Sequence, residues 1–124
     1  FTAALDERIK VCVPSSYFCT FEGSILNVRH CHCNYIPGMM ELGEMYDVAG
    51  LIAPRPVLFV NGVEDEIFPI EHTREAFRHT QRIYAAMDPA RADHCELYEG
   101  NGGHRYYKER VWPFVREHFS KLEQ

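Results

Sequence analysis

The spacing of apolar residues changes repeatedly along this chain, and each change marks an element. Ile9-Lys10-Val11-Cys12-Val13 reads as a strand, closed by Pro14. Ser15 to Pro37 has no period and is rich in Cys, His and aromatic residues, so a long excursion over the sheet edge is expected there. Met39, Leu42, Met45, Tyr46, Ala49 and Ile52 have helical spacing, which Pro54 and Pro56 stop. Val57 to Val60 is a continuous apolar run, as expected of a parallel strand covered on both faces. Glu71 to Met87 is the clearest helix. Thr73, Phe77, Thr80, Tyr84 and Met87 share one face, and Arg74, Arg78 and Gln81 point away. Cys95 to Tyr98 reads as a short strand and Gly100 to Gly103 as a flexible turn. Tyr107, Val111, Val115 and Phe119 then mark a last helix reaching Leu122, which Pro113 either kinks or starts near Trp112.

Strand, loop with helix, strand, helix, strand, helix is an α/β order, and two successive crossovers imply parallel strands. A three-layer α/β fold is expected, as one domain over 1–124. Its first strand, Ile9–Val13, would be an open edge, which sheets rarely leave unmanaged. Pairing is expected there, with a second copy (a homo-oligomer) or with chain upstream of Phe1. Phe1-Thr2-Ala3-Ala4-Leu5 reads as the tail of a helix without an N-cap, so the domain is expected to be partial.

Composition narrows the function classes. The 124 residues are 46% hydrophobic and 25% charged, which is ordinary for a globular domain. Net charge is −5, from 13 basic and 18 acidic residues with no Lys/Arg cluster, which disfavours nucleic acid as a partner. No apolar run approaches the roughly 20 residues of a membrane span. Five cysteines at irregular spacing do not form a secreted disulfide pattern, which favours a reducing, cytoplasmic setting.

Asp65 follows the Val57–Val60 strand, and His104 follows the Cys95–Tyr98 strand through Gly102-Gly103. In a parallel sheet this puts a carboxylate and an imidazole at the carboxyl ends of neighbouring strands, where α/β folds keep their chemistry. Glu64 and Glu66 are rival acids but should face solvent as neighbours in a tight turn. His30-Cys31-His32-Cys33 draws the eye as a metal cluster. However, contiguous residues cannot all turn inward, and no second pair has zinc spacing, so no metal site is assigned. Ser15 and Ser16 lack the flanking small residues of a nucleophile turn and are expected to make capping or turn hydrogen bonds. Arg55, between two prolines, is expected in a structural ion pair, and Tyr106 and Tyr107 against the last helix. His72, His79, His94 and His118 read as surface or boundary residues.

These segments resemble a known family. Ala3-Ala4-Leu5-Asp6-Glu7-Arg8-Ile9-Lys10, Cys33-Asn34-Tyr35-Ile36-Pro37-Gly38, Leu51-Ile52-Ala53-Pro54-Arg55-Pro56, Gly62-Val63-Glu64-Asp65-Glu66-Ile67-Phe68-Pro69 and Gly102-Gly103-His104-Arg105 carry the resemblance. Together they are similar to the C-terminal half of an α/β-hydrolase esterase, in the acetyl xylan esterase and dienelactone hydrolase branch. The resemblance implies a parallel sheet with flanking helices and a Ser-Asp-His triad. Asp65 and His104 would be its acid and base, and its serine would lie upstream of residue 1. It implies a small ester substrate, with an acetylated carbohydrate as the candidate, and no cofactor. The alternative is a catalytically silent truncated α/β domain acting as a dimeric interaction module.

Overall fold

The structure, a computed structural model, describes residues 1–122. Helix α1 spans Thr2–Leu5, α2 Met39–Leu42, α3 Met45–Gly50, α4 Ile70–Met87 and α5 Val111–Leu122. Strands β1 (Val57–Gly62) and β2 (Cys95–Gly100) pair in parallel, with Val57 opposite Cys95 and Gly62 opposite Gly100. All six residues of β1 are buried, as its unbroken apolar run requires. Alternate side chains along β1 serve two cores. Val57 and Phe59 pack with Ala49 of α3 and with Ala76 and Tyr84 of α4. Leu58 and Val60 pack with Tyr107 and with Val111 and Phe114 of α5. The result is three layers: helices, a parallel sheet, and helix again.

The first strand differs from the sequence expectation. Among the described residues, Ile9–Val13 is not a continuous strand; Cys12 and Ser15 instead make isolated parallel bridges to Val57 and Val60. Pro14 is the cause. Cys12 N donates to Pro56 O and Leu58 N to Cys12 O, then Val60 N donates to Pro14 O and Ser16 N to Val60 O. The bond between these two pairs would run from the residue-14 amide to Leu58 O, and proline lacks that amide. The edge is therefore shifted toward Ser16, and the two-strand sheet β1-β2 carries it as a broken third member.

The Met39–Ile52 helix is also two helices. Gly43 stands at φ +148° between α2 and α3. Glu44 then restarts the helix with a capping box, its own amide donating to Asp47 Oδ2 at 2.8 Å and its Oε2 accepting from Met45 N at 2.8 Å. Helix α4 follows the expected face at Thr73, Thr80 and Tyr84, whereas Met87 is exposed at its end. Pro113 lies in the first turn of α5, where its missing amide costs nothing. The buried stripe of α5 is Val111, Phe114 and His118, rotated from the expected one, and Phe119 faces out.

Among the described residues, Arg55 makes no ion pair. Its guanidinium instead donates to Asp6 O (3.0 Å), Ile9 O (2.8 Å), Ala3 O (2.8 Å) and Leu51 O (3.4 Å). The planar fork ties the N-terminal segment to the end of α3, which a lysine cannot reproduce. Arg55→Met is expected to cost about 2–3 kcal/mol, since several carbonyls lose a charged donor. Urea unfolding checks this, with Arg55→Lys falling between; a midpoint unchanged in both variants would refute the clamp.

His118 is buried at 4% exposure, deeper than the surface or boundary position expected of it. Its ring meets Phe114 at 4.5 Å and His94 at 4.9 Å. Burial first, then His94 and Lys121, push its pKa below the usual 6.5, while Glu117 and Glu96 pull weakly upward. The unfolded chain therefore binds this proton more readily than the folded one. The resulting stability is complete above pH 6.5 and falls as pH drops from there toward the lower folded value. His118→Phe is expected to flatten that part of a stability–pH curve, and an unchanged slope would count against it.

Candidate active site

The carboxyl ends of β1 and β2 bring together the residues that the sequence singles out. Asp65 N donates to Gly62 O at 3.3 Å, closing a tight turn directly after β1. Asp65 Oδ1 accepts from Ile67 N at 2.9 Å and Phe68 N at 3.0 Å, an Asx-type turn that fixes the carboxylate. Asp65 Oδ2 lies 2.9 Å from His104 Nδ1. The Asp65 side chain has no exposure, whereas that of His104 is 45% exposed. The carboxylate is thus saturated on the protein side and keeps one oxygen for the ring. Nδ1 carries the proton in the neutral imidazole, because a carboxylate oxygen can only accept, and Nε2 is left as the acceptor. Glu64 and Glu66 are exposed, as expected.

The Gly-Gly-His loop is held from several sides. Gly102, at φ +142°, offers its carbonyl to Glu64 N at 2.9 Å. Tyr107 Oη donates to Gly103 O at 2.8 Å. Ser16 Oγ donates to Arg105 O at 2.9 Å. Ser16, at φ +49°, thus commits its hydroxyl to a loop 89 residues further along the chain, a long-range bond in place of the expected local capping or turn bond. Tyr107 is buried, as expected, and Tyr106 is exposed at 56%.

Two features escaped sequence reasoning. Gly62 ends β1 where the loop crosses it; a Cβ there would collide with the carbonyl oxygens of Gly103 and Gly102. A glycine closing an apolar strand just before the acid was the available signal. Gly62→Ala is expected to push the loop away and break the Asp65–His104 bond. Loss of the far-downfield Nδ1 proton resonance would show it; a retained resonance would refute it. The second feature is Phe68, 3% exposed, whose ring stacks on His104 at 5.8 Å and 19°. Phe68 also meets Tyr17 at 5.2 Å and His30 at 5.3 Å.

The His30–Cys33 run does not turn inward as a group, and a 3-10 turn rather than extended alternation divides it. His30 turns toward Phe68, while Cys31, His32 and Cys33 are exposed around a short 3-10 turn, His32–Asn34. Among the described residues, no group of three or more His, Cys, Asp or Glu side chains is placed to hold a metal ion. No described helix is long and apolar enough to cross a membrane.

A parallel sheet covered on both faces, with an acid loop and a histidine loop on adjacent strand ends, is a three-layer α/β architecture. Solved structures show the same fold. A carbohydrate esterase family 15 glucuronoyl esterase from Caldicellulosiruptor kristjansonii superposes with a TM-score of 0.70 at 19% identity, over 91% of this chain and 37% of that one. Methylesterase BT1017 superposes with a TM-score of 0.63 at 19% identity, over 97% of this chain and 27% of that one. Both are named as esterases, and this chain shares their fold. In sequence it is 33% identical over 94 residues to YtaP, a proposed hydrolase of Bacillus subtilis (strain 168), covering 73% of this chain. The chain spans 31% of that relative's length. No known family profile matches the chain.

Proposed function

We propose that this chain supplies the acid and base of a serine-type ester hydrolase. The observation that carries the reading is the Asp65–His104 pair: a buried carboxylate with one oxygen saturated by backbone amides and the other 2.9 Å from the imidazole Nδ1 of a half-exposed ring. The hydrolase and esterase character of the proteins it resembles supports the same reading. His104 Nε2 takes the proton of a serine hydroxyl as that oxygen bonds to the ester carbonyl carbon. The same nitrogen gives the proton to the departing alcohol oxygen as the ester C–O bond breaks. Water then repeats the cycle on the acyl-serine and releases the carboxylic acid. Asp65 holds the imidazole in the right tautomer and stabilises the imidazolium formed on the way. No cofactor is required for these steps.

The Gly-x-Ser-x-Gly pattern does not occur in the 124 residues, and Ser16 spends its hydroxyl on Arg105, so the reading takes the serine from outside this sequence. The substrate class is a small ester, with an acetylated carbohydrate as the candidate. A fluorophosphonate tests the whole. A longer protein containing this sequence is expected to gain one adduct, on a serine outside it, and to lose that labelling when His104 is replaced. An adduct on Ser15 or Ser16 would move the nucleophile into this chain, and no adduct with no esterase activity would overturn the reading.

A further inference from the structure

His30 is a second histidine against the same aromatic shelf, and its anchoring differs from that of His104. Phe68 carries both rings: His104 stacks on it, and His30 meets it at 5.3 Å and 60°. The His30 amide donates to Tyr35 Oη at 2.9 Å, and His30 Nε2 lies 3.0 Å from Ser24 Oγ. Ser24 is fully buried and its hydroxyl donates to Ile67 O at 2.6 Å. A hydroxyl has one proton, and a carbonyl oxygen can only accept, so Ser24 Oγ has nothing left to donate to His30. It must accept, and the proton of neutral His30 therefore sits on Nε2. His30 Nδ1 is then a bare acceptor. Among the described residues it has no protein partner, and the only fully buried side-chain polar atom without one is Asn61 Oδ1, so Nδ1 is unpaired and not sealed inside the protein; His30 itself is half-buried.

The two rings are thus opposite in tautomer. Asp65 fixes the His104 proton on Nδ1 and frees Nε2; Ser24 fixes the His30 proton on Nε2 and frees Nδ1. An acceptor anchored at backbone, ring nitrogen and ring edge has given up its rotamer freedom before any ligand arrives, which lowers the cost of binding. Such an acceptor recognises a donor, and an ester's own carbonyl and ether oxygens donate nothing. What it recognises is a hydroxyl elsewhere on the substrate.

We propose that His30 is a substrate-binding residue whose Nδ1 accepts a hydrogen bond from a hydroxyl on the acyl or alcohol part of the ester, so that the site prefers hydroxyl-bearing esters over plain alkyl ones. This deepens the esterase reading and rests on it for the word substrate; the hydroxyl-binding property itself does not need the reaction.

The test uses nuclear magnetic resonance of the 124-residue chain, following the long-range proton–nitrogen signals of His30. Neutral His30 is expected to show the Nε2–H pattern, and Ser24→Ala to mix the tautomers. Methyl xyloside, a hydroxyl-rich probe, is expected to shift Nδ1 saturably in the tens of millimolar. Methoxycyclohexane, a ring of similar size without hydroxyls, is not. His30→Phe keeps the contact with Phe68 and is expected to raise the apparent Kd for the xyloside about 5- to 10-fold, the loss of one neutral hydrogen bond. His30→Gln restores an acceptor beside a donor for Ser24 and should recover part of the affinity. An Nδ1–H tautomer, a static Nδ1 signal, or equal shifts with both probes would overturn the proposal. Because no hydrolysis is read, a failed fluorophosphonate experiment removes the esterase reading alone, and a silent His30 removes this one alone.

Discussion

His104→Ala, introduced into a protein that carries both this chain and its serine, is expected to lower ester hydrolysis by about 10⁶-fold, the scale at which triad histidines act. No neighbour can replace it. The other ring on the Phe68 shelf, His30, has its Nε2 proton committed to Ser24, and the adjacent Glu64 and Glu66 face solvent. The alanine variant should keep its fold. The His104 side chain is 45% exposed, and the loop is still held by Tyr107 Oη on Gly103 O and Ser16 Oγ on Arg105 O. Turnover of a chromogenic ester, with circular dichroism as the folding control, checks both halves. A folded variant within about 10-fold of wild type would end the assignment of His104 as the base.

How far the sequence shows this site depends on the range of the forces involved. The acid, the histidine and their strands are legible because each rests on local pattern: an unbroken apolar run in β1, a turn residue after it, two glycines before the imidazole. The two cores on either face of β1 follow from the same run, since a strand with no polar alternation must be covered twice. Errors arise where a local preference yields to a distant partner. Ile9–Val13 has strand composition, but its pairing is decided opposite Pro14, by the amide that residue lacks. Arg55 looks like one half of an ion pair because carbonyl clusters have no sequence signature; four backbone oxygens take that role. His118 reads as a surface or boundary residue because Phe114 and His94 come to it only through folding. Gly62 matters through the approach of Gly102 and Gly103, some forty residues later in sequence, a contact that no window over β1 contains.

Asp65→Asn should separate a catalytic acid from a structural turn residue, and about a 10⁴-fold loss of turnover is expected. Asparagine keeps one acceptor oxygen, which can still take the bonds from Ile67 N and Phe68 N now made to Oδ1. The turn and its stability should therefore survive within about 1 kcal/mol. What changes is the group facing His104. Oδ2, which can only accept, becomes an amide nitrogen, which can only donate. His104 Nδ1 must then accept, its proton moves to Nε2, and the nitrogen that should receive the serine proton is already occupied. The ring can remain in place and still be in the wrong tautomer. Asp65→Ala, by contrast, removes the turn bonds as well and should cost about 1–3 kcal/mol in addition to activity. Nitrogen shifts of His104 read the tautomer directly, beside turnover and urea unfolding. If Asp65 only shapes the turn, Asp65→Asn will retain near-wild-type turnover with the proton still on Nδ1. If it orients a general base, turnover will collapse while the unfolding midpoint barely moves.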